Sequence, residues 1–263
     1  MTDAPMAASA PGPVVARVAA GADPLRFARF AYPPNALGYC GGDDAVGLLQ
    51  HLAAGVVDPD LVRLCRAFEG AYPYLERIAA AASIAEPLDG RVVEAYWVGG
   101  DLLAQVAPRD FHDDLDRRFR DRTARAEWPW LAGKPAAGGL PHHSFHVLEV
   151  FPRVGLLRGG AADIVPTMEQ CLVRPARVTG VDDAQLAVMV RPLELHAGRL
   201  RLGAARPGSC RRRVRGLTVL PDVAVGDTVA IHWGWACDRL DDQRRIALER
   251  ALARSLALAN ATI

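Results

Sequence analysis

Lysine is almost absent from this chain of 263 residues: Lys134 is the only one, and arginine supplies the remaining positive charge. Formal net charge is +1, so the sequence carries no field to attract nucleic acid, and the arginine bias fits a GC-rich coding sequence better than a phosphate-binding surface. No apolar run approaches the ~20 residues that cross a bilayer, which gives no expectation of a membrane partner. CxxC pairs are missing too. The five cysteines (Cys40, Cys65, Cys171, Cys210, Cys237) are odd in number and scattered, so reduced thiols and a cytoplasmic setting are expected instead of a disulfide framework. Absent as well are a glycine-rich phosphate loop, a nucleophile elbow and a dinucleotide fingerprint, which removes the enzyme classes that depend on them.

What is present divides into two grammars. Residues 1–23, rich in Ala, Pro and Gly, read as a loose tail without the basic start and apolar block of a signal peptide. Residues 24–166 read as helical. "DDAVGLLQHLAAG" places Asp43 and Asp44 where an N-cap belongs and Gly55 where a C-cap belongs. "DPDLVRLCRAFEGAYPYLERIAAAAS" carries helical spacing broken or kinked at Pro73, and "HHSFHVLEVFPRVGLLRGG" reads as a helix interrupted at Pro152. From residue 167 onward the segments are short, rich in β-branched residues and separated by Gly, Pro and Asp, beginning with "CLVRPARVTGV". A last helix, "LDDQRRIALERALARSLALANA", sets Ile246, Leu248, Leu252, Leu256 and Leu258 on one face. The predicted class is α+β in two domains: a mainly helical domain over 24–166, then a small OB-like barrel with a C-terminal helix over 167–263.

The second half begins like a protein in its own right. "MEQCLVRPARV" and, further on, "LPDVAVGDTVAIHWGWACDRLDD" resemble the two ends of the HypC/HupF family of nickel–iron hydrogenase maturation chaperones, over about Met168 to Asn260. The first matches an opening Met-Cys-Leu-x-x-Pro-x-x-Val; the second matches at Pro221, Asp222, Val223, Gly226, Asp227, Val229, Ile231, His232, Gly234, Ala236 and Leu240. The resemblance implies an OB-like barrel with a C-terminal helix. It also implies an iron carrying cyanide and carbon monoxide, held by Cys171 and His232 and passed to a hydrogenase large-subunit precursor with other maturation proteins. A thiolate is a soft donor suited to such iron, and a neutral imidazole is a borderline donor that leaves readily. Two features depart from the pattern. Cys171 follows Gln170 inside the chain, and the segment "RPLELHAGRLRLGAARPGSCRRRVRG" is long and reads as an extended hairpin with a solvated charged face.

In the first half the densest chemistry is "GLPHHSFHVLEVF". On a helix, His142 and His146 share a face, as do His143 and His146, so two of them have the spacing to chelate one metal. "RFAYPPNALGYCGGDD" frames Cys40 between Pro33-Pro34 and Gly38, Gly41 and Gly42, the composition of a specifically shaped loop. Cys40 with a histidine of the cluster is expected either to form a second thiolate–imidazole site or to face Cys171 across the domain interface. "EAYWVGGDLL", "WPWL" and "HWGW" supply aromatics expected in the core. This half resembles an uncharacterised bacterial family in which a sequence like "FAYPPNxLGYCG" precedes "AYWxG" and "PHHSFHV". Two functions follow: a metallochaperone built on Cys171 and His232, or a metal- or thiol-dependent enzyme built on Cys40 and the His142–His146 cluster, with the barrel as docking module.

Overall fold

The opening turn of the first helix sits on a cap: Asp23 accepts a hydrogen bond from the Arg26 amide, and Pro24 occupies a first-turn position where its missing N–H costs nothing. The protein is described by a computed structural model over residues 19–263 apart from Val154 and Arg215. The tail read over 1–23 therefore lies outside the described residues up to residue 18, as does the end of the arginine run at Arg215. The part that is described is tied down rather than loose, since Ala22 forms a β-bridge with Asp89.

Helices α1 (Pro24–Ala36), α2 (Ala45–Ala54), α3 (Pro59–Arg66), α4 (Tyr72–Ala81), α5 (Gly90–Trp97) and α6 (Pro108–Phe119) form most of the first half. The shorter α7 (Trp128–Ala132), α8 (His143–Phe145), α9 (Gly155–Arg158) and α10 (Val165–Cys171) complete it. Asp44 and Asp58 cap α2 and α3 through their side chains, and Gly55 ends α2 in the left-handed conformation. Pro73 opens α4 instead of kinking a longer helix, and π-helical turns over His146–Val150 end before Pro152. The strands are β1 (Arg174–Val181), β2 (Gln185–Val190), β3 (Leu193–His196), β4 (Arg199–Leu202), β5 (Arg206–Arg211), β6 (Arg213–Val214), β7 (Leu217–Thr218), β8 (Thr228–His232) and β9 (Trp235–Leu240), followed by α11 (Asp242–Asn260).

Five strands close an uneven ring in the order β1-β2-β5-β9-β8. Its pairings are antiparallel except between β5 and β9, which meet through a single parallel pair, Arg211 and Trp235. One expectation needs correcting here. The strand begins at Arg174, and Cys171 is the last residue of helix α10, because Val165-Pro166 starts a helical turn that runs through the methionine. The long segment between the motifs does form a hairpin, β3–β4. Its inner residues Leu193 and Leu200 are buried, and Asn260 at the end of α11 holds both backbone groups of Leu200.

The interior of the ring is a small core of its own, around Val178, Leu186, Val188, Val229 and Ile231. A second core runs without interruption from Phe27, Tyr74 and Tyr96 to Met168, Trp235, Leu248 and Leu252, so the helical half and the outside of the ring bury the same apolar surface. On α11, Leu248, Leu252, Leu256 and Leu258 are buried as the pattern predicts, whereas Ile246 is 37% exposed. Trp97 and Trp235 are buried core aromatics; Trp130 is exposed, and Trp233 is only partly buried.

Buried ions pin α1 to the ring. Arg26 reaches Asp238 of β9 at 2.6 Å and Glu94 of α5 at 2.7 Å, and Arg29 donates to the Cys237 carbonyl at 3.1 Å. The partners hold the Arg26 guanidinium's pKa up against its burial. Removing one member of such a group strands the other charge in a poorly solvated place, at a cost of about 3–5 kcal/mol. Arg26→Ala is therefore expected to lower unfolding free energy by that amount in urea titrations. Arg26→Met combined with Asp238→Leu is expected to recover most of it, because the apolar pair leaves no stranded charge.

Candidate functional site

Two consecutive prolines inside α1 determine what lies opposite them. In a regular helix the amide of residue 34 would bond the carbonyl of residue 30, but Pro34 has no N–H, so the Phe30 carbonyl is released. His232, at the end of β8, uses it: its Nδ1 lies 2.7 Å from the Phe30 oxygen. A carbonyl only accepts, so Nδ1 carries the proton and Nε2 presents a lone pair. That Nε2 is buried without a hydrogen-bond partner, on a residue 1% exposed. Burial pushes the imidazole down to about 4, against the opposing pull of the Phe30 and Cys171 carbonyls, so it is neutral near pH 7.

The end of α10 supplies the second set of free carbonyls. The Gln170 oxygen accepts the Trp233 amide at 2.8 Å, and the Cys171 oxygen lies 2.9 Å from Nε2 of His143. His143 therefore donates from Nε2, and its Nδ1 accepts from the Tyr96 hydroxyl at 3.2 Å. Burial, reinforced by the neighbouring His232, holds His143 well below the ordinary histidine range. The Cys171 thiol is pushed up to about 12 by burial and then by the nearby Cys40 sulfur.

The donor atoms of His143, Cys171 and His232 all lie within 4.8 Å of one another. A tetrahedral ion with bonds of about 2.0–2.3 Å spaces its donors about 3.4–3.8 Å apart, so a small contraction would close the three on one ion. His232 Nε2 is already bare. His143 would have to give up one of its two present hydrogen bonds to join, which makes Cys171 and His232 the standing pair and His143 the third donor.

These groups line a cavity of about 50 Å³ whose wall includes Ala31, Pro34, Phe68, Tyr96, Trp97 and Pro152. Trp233 covers it. With Gly234 it forms the two-residue turn between β8 and β9, at φ 51° and 74°, and its ring packs on Tyr39 with centroids 4.2 Å apart. A tryptophan in the left-handed region costs about 1–3 kcal/mol, a strain that clusters where a site demands it. "HWGW" thus yields one core residue, Trp235, and one cavity cover, Trp233, in place of two core aromatics.

The sequence candidates sort plainly. Cys171 and His232 come together at the cavity, with donor atoms within 4.8 Å of each other. His143 joins them from the helical half. His146 lines the same cavity with Nδ1 3.3 Å from the Tyr74 hydroxyl, so the pair on the cavity side is His143 with His146, the i, i+3 alternative. His142 lies outside it: its Nδ1 accepts from the Ser144 amide at 3.0 Å as a helix cap, and Ser144 continues to Ser255 of α11. Cys40 lines the cavity and faces Cys171 across the two halves, although its sulfur is not in the close trio. Cys65, Cys210 and Cys237 are buried in the cores. Tyr39 was passed over, and Tyr96 and Trp233 were read only as core aromatics; their signal was an aromatic inside each of the "GYC", "AYW" and "HWG" stretches.

The fold and the site together define an α+β protein with a thiol–imidazole cavity built where a helical half meets a five-stranded ring. The model of the Family of unknown function (DUF6390) matches residues 18–263, and the chain belongs to that family. One model spans both halves, including the cavity they share. No curated protein and no solved structure matches the chain. Among the described residues, no helix is long and apolar enough to cross a membrane.

Three buried histidines and the partly buried His146 give a pH signature. Burial lowers His142 and His146 to about 3 and His232 to about 4, and holds His143 well below its usual value. Unfolding returns each to about 6.5, so below that pH the unfolded chain binds more protons and stability falls with falling pH. Urea unfolding between pH 6 and pH 4.5 is expected to take up protons approaching four per chain; uptake below one would contradict buried neutral rings. Pro34→Ala restores an amide that competes for the Phe30 carbonyl. Imidazole nitrogen NMR is expected to show His232 losing its fixed Nδ1–H tautomer, while His143 keeps its own.

Proposed function

We propose that the protein is a carrier in nickel–iron hydrogenase assembly: it takes an iron centre bearing cyanide and carbon monoxide, or its precursor, as cargo at Cys171 and His232. It passes that cargo to a hydrogenase large-subunit precursor in company with other maturation proteins. The observation that carries the reading is the convergence of the His143, Cys171 and His232 donors within 4.8 Å of one another. The donor chemistry supports it. One thiol and neutral imidazoles form a soft-to-borderline set suited to iron, and so few protein ligands leave coordination positions for diatomics. The cavity supports it as well. About 50 Å³ accommodates a few groups of water size, room for an ion with small ligands.

The resemblance over residues 168–260 is the second support. A five-stranded ring followed by a C-terminal helix has the order of elements that an OB-like barrel of the HypC/HupF kind requires. Cys171 is internal, so a free α-amino group cannot assist it; His143, reached from the helical half, supplies the additional donor in this reading. The enzyme alternative on Cys40 and the histidine cluster is less well supported. Cys40 is outside the close trio, His142 lies outside the cavity, and burial lowers His146 to about 3, so no charged imidazole of the cluster stands by to activate the Cys40 thiol.

The test is an anaerobic preparation. Infrared absorption from cyanide and carbon monoxide on iron is expected in the wild type and lost in Cys171→Ala, with iron falling from about one per chain to near none. Metal that survives Cys171→Ala and disappears with His143→Ala and His146→Ala would favour the enzyme reading instead. The pH dependence has a definite sign: between the neutral imidazole and the protonated thiol, each bound divalent ion displaces one proton. Affinity for ferrous iron is therefore expected to rise about tenfold per pH unit from pH 6 to pH 9, and a flat profile would exclude thiolate ligation.

A further inference from the structure

We propose that Cys40 is a transit ligand, which takes a divalent metal ion at the mouth of the cavity and hands it to Cys171 and His232 inside. The inference deepens the carrier reading and rests on it. Its first support is position. Cys40 is exposed, Cys171 is partly buried and His232 is 1% exposed, yet all three line one cavity, so they form a series from solvent to interior. The inner end of that series is the bare Nε2 of His232, a buried acceptor with no partner.

The second support is that the loop bearing Cys40 is built to hold it there. Asn35 donates from Nδ2 to the carbonyls of Cys40 and Gly42, at 2.9 and 2.6 Å. Gly41 adopts φ 88°, and a Cβ placed on it would come within 2.5 Å of the Phe68 ring and 2.8 Å of Asn35 Nδ2. Only glycine fits there, so the loop closes tightly on α1 and keeps Cys40 at the rim. Tyr39 and Phe151, at 50% and 58% exposure, flank the opening, and the Tyr39–Trp233 contact roofs it. An apolar mouth of that kind offers an entering ion no other thiol.

The hand-over balances without a redox change. At the mouth, the Cys40 S–H releases its proton to water as a sulfur–metal bond replaces a metal–water bond. Inside, the Cys171 S–H gives its proton to the departing Cys40 sulfur while Cys171 forms its own bond to the ion. One proton reaches solvent for each ion taken up, and none has to leave the buried end of the cavity. The inner step replaces one sulfur–metal bond by another of the same kind, so the exchange between the two sulfurs runs in both directions. A carrier needs that reversibility.

Cobalt(II) alone is the probe, since its thiolate bond absorbs visibly, and stopped-flow mixing with the full chain reads loading while a competing chelator reads release. In Cys40→Ser both rates are expected to fall together, at least tenfold. In Cys171→Ala the early thiolate absorption is expected to appear and persist, with the ion halted on Cys40. Unchanged rates in Cys40→Ser, or no thiolate absorption in Cys171→Ala with its native circular dichroism retained, would overturn the transit role and leave the carrier reading standing. Wild-type protein that takes up neither cobalt nor ferrous iron would overturn both.

Discussion

The bond from His232 Nδ1–H to the Phe30 carbonyl is the constraint on which the site depends. It joins the two halves of the chain across more than two hundred residues, and it needs an acceptor that regular helix would have consumed. Pro34 removes the competing amide, and the Arg26–Asp238 and Arg29–Cys237 contacts hold α1 against β9 so that the released oxygen meets the ring. Its chemical consequence is a fixed tautomer. With Nδ1 committed, Nε2 is the only remaining atom of the ring that can bind anything, and it opens into the cavity. Metal-binding histidines typically have their second nitrogen anchored to a carbonyl or carboxylate in this way.

The end of α10 follows the same economy. Helix termini leave carbonyls without partners, and here the Gln170 and Cys171 oxygens are taken by the Trp233 amide and His143. The backbone that presents the Cys171 thiol therefore also fixes the hairpin cover and the third donor. Cavity and cysteine form one hydrogen-bonded unit, so distortion of α10 would be felt at His143 and Trp233 together. Around this unit the walls are aromatic, which keeps the thiol protonated and the imidazoles neutral. Such groups bind a soft or borderline cation in exchange for a proton and have little to offer an anion.

Much of the fold was legible because its signals are local. Asp44, Asp58 and Gly55 stand at helix ends for the reasons their chemistry dictates, whereas the change of spacing near residue 167 falls inside α10, which runs to Cys171 before the first strand begins at Arg174. The boundary residues themselves were harder. "MEQCLV" carries both a plausible strand of Cys, Leu and Val and a helical turn started by Val165-Pro166, and tertiary packing of the buried Met168 selects the helix as far as Cys171. Pro33-Pro34 invited a loop assignment, yet proline in the last turn of a helix gives up bonds whose acceptors can be used elsewhere. Nothing short of the three-dimensional partner, His232, reveals that use.

The site was half legible for a different reason. Cys171 and His232 were visible through a motif, and the histidine cluster through its density, but joining the two required knowing that the helical half and the ring bury one continuous apolar surface. Sequence spacing says which histidines share a helix face; it does not say which face is turned toward a second half. His142 shows the limit. It has the same residue type and nearly the same position as His143, yet it caps a helix toward Ser144 and Ser255 while its neighbour turns to Cys171. A cysteine that resembles the start of a separate protein thus acquires an interior setting in which its extra donor comes from the partner half. The helical half places His143, a third metal-competent side chain, beside Cys171 and His232, where the ring alone would have had none.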